Sequence, residues 1–175
     1  MIRRLTALAL VFCTALSLSA AELEAEDKKT LTTRATTLVE GFQKGDVDAI
    51  IRMTHPSIYG LAGGKEPFEA MAKDAMKSIA ETGLKVEESK LGEPSRTWQA
   101  GKETVCFVPV TLLFSMQGKK IRTTTYYVGV KGGTSQEWLF LDGSGFGKNP
   151  ELLKQILPGL PDDVVLPEIR QEPVE

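Results

Sequence analysis

Thr104-Val-Cys-Phe-Val-Pro-Val-Thr-Leu-Leu-Phe-Ser-Met116 is the stretch on which the fold turns. β-branched, aliphatic and aromatic side chains occupy both its odd and its even positions, so as an extended strand it is apolar on both faces. At about 3.4 Å per residue it spans roughly 44 Å, more than twice an ordinary strand. A flat strand of that length overhangs a small domain. It is therefore expected to bend, with Pro109 as the place for a bulge or kink. One face can then cover helices while the other meets a second apolar surface.

Downstream, Gln117-Gly118-Lys119 reads as a turn and residues 120–131 as the returning strand. Gly132-Gly133-Thr134-Ser135 turns the chain again into residues 136–142, the last strand of the run. These are hairpin signals and imply an antiparallel sheet. Upstream, residues 84–87 alternate as a strand does, and residues 95–99, with Trp98, form another candidate.

Before Gly83 the period is helical. Leu31, Ala35, Leu38 and Phe42 fall on one face of a helix over residues 28–44. Gly45 ends it, Asp46 caps a short helix over 47–54 with Ile50, Ile51 and Met53, and His55-Pro56 stops that one. A loop over 57–64 carries Tyr59 and a Gly63-Gly64 hinge. A third helix over 66–82 places Phe68, Met71, Ala72, Ala75, Ile79 and Ala80 in a stripe expected to face inward. Asn149 and Pro150 start a fourth helix over 151–157. The fold class is α+β: three N-terminal helices packed on a strongly curved antiparallel sheet, then a short C-terminal helix. Pro158, Pro161, Pro167 and Pro173 make residues 158–175 an extended proline-rich tail.

The first residues carry a different message. Arg3 and Arg4 precede an apolar run over 5–18, and Ser-Leu-Ser-Ala20 ends it with a small-x-small site. That is the pattern of a secretory signal peptide over residues 1–20, and the run is shorter than the roughly 20 residues a membrane span needs. Bulky Phe12 before Cys13 argues against lipid attachment there. The expectation is an exported protein, periplasmic or secreted and soluble, with one domain over 21–157 and the tail after it. Removal of the signal takes Cys13 away and leaves Cys106 alone, so no internal disulfide can form and packing must hold the domain. It also takes Lys+Arg from 21 to 19 against 23 acids, about −4 in net charge. With no basic block, nucleic acid is not an expected partner.

Three stretches resemble the nuclear-transport-factor-2-like superfamily, a cystatin-like α+β cone: Gly45-Asp-Val-Asp-Ala49, Met53-Thr-His-Pro56 and Trp138-Leu-Phe-Leu-Asp-Gly143. The similarity covers residues 31–143. The whole chain, with its proline-rich end, also resembles a family of exported bacterial proteins of that fold, which carries no function over. The superfamily resemblance implies a pocket in the hollow of the cone. Some of its members are isomerases, dehydratases or cyclases with an Asp base and Tyr or His partners, and others bind small molecules or proteins, often as dimers through the sheet face.

The candidate residues follow. His55, the one histidine, is the first candidate general base; its structural reading is to end the second helix before Pro56. Asp142 lies on the side of Trp138 and Phe140. At the rim of an apolar cavity its carboxyl would be pushed up as an isomerase base requires, whereas in a turn it would hold backbone N–H groups. The structural readings of both are preferred. Tyr59 is a candidate hydroxyl, while Tyr126 and Tyr127 point to opposite faces. Trp98, Tyr126, Trp138 and Phe140 are the candidate ligand-binding aromatics, and equally candidates for core. No cluster with metal-ligand spacing is present, and Gly143-x-Gly-x-Gly147 lacks the Lys-Ser/Thr of a phosphate loop, so neither metal nor cofactor is expected.

The reading that results is non-catalytic binding of a small hydrophobic ligand or a protein partner, a homodimer through the sheet face being one form. The alternative is a small acid–base enzyme of isomerase or dehydratase type, with Asp142 or His55 as base and a tyrosine such as Tyr59. A third reading makes the tail a docking segment for an envelope partner.

Overall fold

A computed structural model describes residues 21–133, 135–147 and 149–174, so the signal segment and Cys13 lie outside the described residues. The elements run α1 (Ala25–Lys44), α2 (Val47–Met53), a 3₁₀ segment (Pro56–Ala62), α3 (Lys65–Glu81), β1 (Lys85–Leu91), β2 (Thr97–Ala100), β3 (Glu103–Met116), β4 (Lys119–Gly132), β5 (Ser135–Asp142), α4 (Pro150–Ile156) and β6 (Arg170–Val174). The fold is α+β, with helices on an antiparallel sheet curled into a half-barrel compatible with a cone.

The β3–β4 hairpin is the spine. Its pairing runs without a register break from Glu103–Gly132 to Met116–Lys119. Gln117 and Gly118 close it with φ of 52° and 77°, the two positive values a type I′ hairpin turn needs. Each flank of the spine carries two short strands in line: β2 and β1 along β3, β5 and β6 along β4.

The bulge expected at Pro109 is absent from the β3–β4 pairing, where Pro109 sits opposite Tyr126. The Pro109 carbonyl accepts from Gly92 N–H (2.8 Å), and that of Phe107 accepts from Ser95 N–H (2.8 Å). The polar side of Pro109 thus faces the gap where β1 has ended and β2 has not begun. A proline in a central strand is tolerated there because no partner strand asks for its missing donor. In the same gap Ser95 Oγ accepts from Phe107 N–H (2.9 Å).

Both faces of the spine are covered by the chain itself. Leu31, Ala35 and Leu38 of α1 meet Cys106, Val108, Trp138 and Phe140, and Val39 meets Val110 and Leu112 further along. α1 closes in a Schellman turn: Gly45 (φ 70°) and Asp46 donate to the Phe42 and Gly41 carbonyls (3.1 and 2.8 Å). Asp46 then caps α2 by accepting from Ala49 N–H (2.9 Å). On the other face Val105, Phe107, Tyr126, Val128 and Leu141 meet Leu153, Leu157, Leu160 and Val164. The second apolar surface expected opposite the helices is therefore α4 and the segment after it. The proline-rich segment, expected to be extended throughout, first turns at 158–159 and 162–163, where Leu160 and Val164 N–H donate to the Leu157 and Pro161 carbonyls (3.3 and 3.4 Å); it buries Leu160 and Val164 and ends by pairing as β6 with residues 120–124 of β4.

One expectation about α3 fails. None of its residues is buried, and Met71, placed in the inward stripe, is 56% exposed. Ala75 and Ala80 are exposed too, while Phe68, Ala72, Met76 and Ile79 are half-buried. The physical reason is that α1 and the C-terminal segment already occupy the two sheet faces. α3 is left against α2 and the 3₁₀ segment.

The C-terminal covering yields a test. Leu160→Ala should cost about 2–5 kcal/mol, the usual range for emptying a buried leucine site, whereas Gln171→Ala on exposed β6 should stay within roughly 0.5 kcal/mol. Urea unfolding of the two variants measures both. Equal midpoints would show that the segment after α4 contributes nothing to the core.

Candidate functional site

The end of α2 is stitched to the sheet. Thr54 forms a parallel bridge with Phe140, and His55 N–H donates to the Phe140 carbonyl (2.8 Å). His55 is 4% exposed. Its Nδ1 accepts from Ser57 N–H (3.4 Å) and lies 2.7 Å from Ser57 Oγ. A backbone N–H only donates, so the proton sits on Nε2. Nε2 is 3.3 Å from Glu103 Oε1, at ion-pair distance but out of hydrogen-bond alignment. Burial holds the imidazole pKa below its ordinary value, and the Glu103 carboxylate opposes that shift without cancelling it. His55 thus caps the 3₁₀ segment as a neutral, buried ring.

The other candidates fall apart from it. Asp142 is exposed and accepts from Ser144 N–H (2.9 Å), which starts the turn after β5. Tyr59 is half-buried, its ring 5.2 Å from Phe68 of α3. Trp98 (tilted) and Tyr126 (edge-to-face) pack against Phe107 in the core layer under α4, with ring centroids at 5.0 and 5.6 Å. Trp138 and Phe140 lie in the layer under α1, on the opposite face of the sheet. The four aromatics are buried and split between two layers, so they form no common lining. The Tyr126 hydroxyl, without a hydrogen-bond partner among the described residues, is pushed up to about 12 by burial, with the Asp142 charge adding to the shift. Cys106 is fully buried; its Sγ donates to the Ser95 carbonyl (3.2 Å), and burial raises the thiol to about 11. It is not a nucleophile at neutral pH. Among the described residues, no three of His, Cys, Asp and Glu converge on a common metal position.

The open space lies elsewhere, along the seam between α1 and the edge strand β1. A groove of about 280 Å³ is lined by Phe42, Gln43, Ile79, Leu84, Lys85 and Val86. A second, of about 270 Å³, takes Thr36, Val39, Gln43, Ser89 and Leu91 among its walls. Gln43 belongs to both, and its Nε2 donates to Ser89 Oγ (3.2 Å) between them. Phe42 is steadied by an edge-to-face contact with Phe114 (6.4 Å). Sequence reasoning placed Phe42 on the apolar face of α1 and Ile79 on that of α3. Nothing in their spacing joins them to Leu84 and Val86, which α3 and its closing turn bring alongside. Neither a protein-family model nor a curated protein matches the chain.

The buried imidazole predicts a pH dependence. An unfolded histidine takes up its proton near pH 6.5, and the folded His55 resists it. Above that pH the ring is neutral in both states and costs nothing. As pH falls below it, the unfolded state binds a proton that the folded state does not, so stability declines until the lowered folded pKa is reached. Urea midpoints at pH 7.5 and 5.5 should differ more in the wild type than in His55→Gln. Equal shifts in the two proteins would refute this role for His55.

Proposed function

We propose that the chain is an exported member of the nuclear-transport-factor-2-like superfamily and that it binds a small hydrophobic ligand without transforming it. The observation that carries the binding is the groove between α1, α3 and β1. There Phe42, Ile79, Leu84 and Val86 form an apolar wall, and Gln43 and Lys85 supply polar groups beside it. Its size is near the lower end of small-molecule sites, roughly 300–1,000 Å³. A molecule long enough to reach past the Gln43–Ser89 hydrogen bond would take in the second groove as well, which favours an elongated ligand, and the Lys85 ammonium favours a carboxylate head. A medium-chain fatty acid has both properties.

The curled antiparallel sheet with helices on it supports the cone reading, and the signal-like residues 1–20 support export. Among the described residues, no helix is long and apolar enough to cross a membrane. The groups that acid–base chemistry would need are engaged in structure: Asp142 in a turn, His55 between Ser57 and Glu103. A homodimer through the sheet face draws little support from apolar area, since α4 and the C-terminal segment cover that face along residues 105–107 and 126–130. The same packing makes the tail part of the domain in preference to a docking arm.

Titration of the protein with decanoate, followed by calorimetry, should show saturable binding. Ile79→Asp should weaken it at least tenfold, about 1.4 kcal/mol, and Lys85→Glu should also weaken it. Ile79 is half-buried, so these variants should keep the wild-type unfolding midpoint within a small margin. Absence of binding, or equal affinity in wild type and Ile79→Asp, would overturn the proposal.

A further inference from the structure

We propose that α3 is a lid over the α1–β1 groove, hinged at Gly63–Gly64 and at Gly83; its ligand-clamping role rests on the ligand-binding reading above. The helix differs from α1 in how it is held. α1 buries Leu31, Ala35, Leu38 and Val39, whereas α3 buries no residue over its whole length. It lies against α2 and the 3₁₀ segment through half-buried side chains, with the Phe68–Tyr59 ring contact and a Lys73–Asp48 pair at 3.8 Å between exposed side chains among its attachments. Its other ion pairs, Lys65–Glu69 and Lys77–Glu81, are one turn apart within the helix and hold α3 to itself.

Both ends are built to rotate. Gly63, Gly64 and Gly83 have φ of 80°, 127° and 71°, values at which a side chain is strained. Gly63 and Gly83 have open space where a Cβ would stand, and Gly64 meets only the Pro67 ring. Beyond that ring, side-chain packing at these glycines is absent among the described residues, and the turns are held by backbone hydrogen bonds, Gly64 N–H to the Tyr59 carbonyl (2.8 Å) and Gly83 N–H to that of Ala80 (3.1 Å), which opening would have to exchange for water. The inner stripe of Phe68, Ala72, Met76 and Ile79 is half-buried, so apolar surface remains for closure to bury. Ile79 already forms part of the groove wall, and Gly83 leads directly into Leu84, so a rocking of α3 changes the width of the groove. A ligand that touches Ile79 on one side and Phe42 and Val86 on the other favours the closed position. It binds that position better than the open one, and by that difference it shifts the equilibrium.

Amide hydrogen exchange on the full domain tests the lid. Once lifted from the body, a 17-residue helix is marginal in water and its amides exchange. In the ligand-free protein the α3 amides should exchange at least 100-fold faster than those of residues 31–38 in α1. Saturating decanoate should slow the α3 amides at least tenfold and leave those of α1 unchanged. If α3 and α1 exchange together in the free protein, α3 does not open and the lid is overturned. If decanoate binds by calorimetry while α3 exchange is unaltered, the ligand site stands and the lid falls. If decanoate does not bind but α3 exchanges fast on its own, the opening is supported and the ligand reading is what fails.

Discussion

The structure depends on a strand pair that is apolar on both sides. β3 and β4 pair along their whole length, and every other strand attaches to one half of one of them. Such a hairpin exposes two hydrophobic faces to water unless two layers cover it. Burying each large apolar side chain contributes about 1.5–3 kcal/mol, and side chains such as Phe107, Val108, Val128 and Tyr126 are inaccessible to solvent. Without a disulfide among the described residues, this double covering is the main source of cohesion. α1 provides one layer. The other comes from the far end of the chain, where α4 and the segment after it, with three of its prolines, lie on the sheet before β6 rejoins β4.

What remains outside the two layers follows from that arrangement. Once α1 and the C-terminal segment hold the faces, α2 is fastened through Thr54 and His55 to the edge of β5, and α3 hangs from α2 and the 3₁₀ segment. The same geometry leaves β1 as an edge strand beside α1. It bears lysines, glutamates and a register shift between Val86 and Glu88, features that discourage edge-to-edge association. The groove therefore sits where a firmly packed helix, a loosely held helix and a protected edge meet. Ligand sites are often placed at such boundaries, because a rigid wall supplies shape and a weakly held one supplies access.

His55 illustrates how a conspicuous residue can be structural. It is the chain's one histidine, next to a proline, and follows a helix. The fold uses both ring nitrogens locally, one toward Ser57 and one toward Glu103, inside the protein. Asp142 and the two tryptophans behave alike: each chemical possibility is absorbed by a turn or by the core. The groove, by contrast, uses Phe42, Ile79, Leu84 and Val86, none of which has distinctive chemistry.

The element order, the antiparallel hairpins and the α1 stripe were legible because they rest on local periodicity and on turn residues such as Gly45, Gln117 and Gly118. Periodicity also marked an apolar face on α3, but it cannot say whether that face is fully covered. The α+β class and the need for two covering layers were thus determined by the sequence itself, since a strand with apolar side chains on both faces leaves one of them in water unless both are covered. Tertiary structure alone decided which segment supplies the second layer, that Pro109 faces a gap between strands, and that α3 stays at the surface. Those outcomes depend on competition between distant parts of the chain for the same two faces, and local spacing carries no record of that competition.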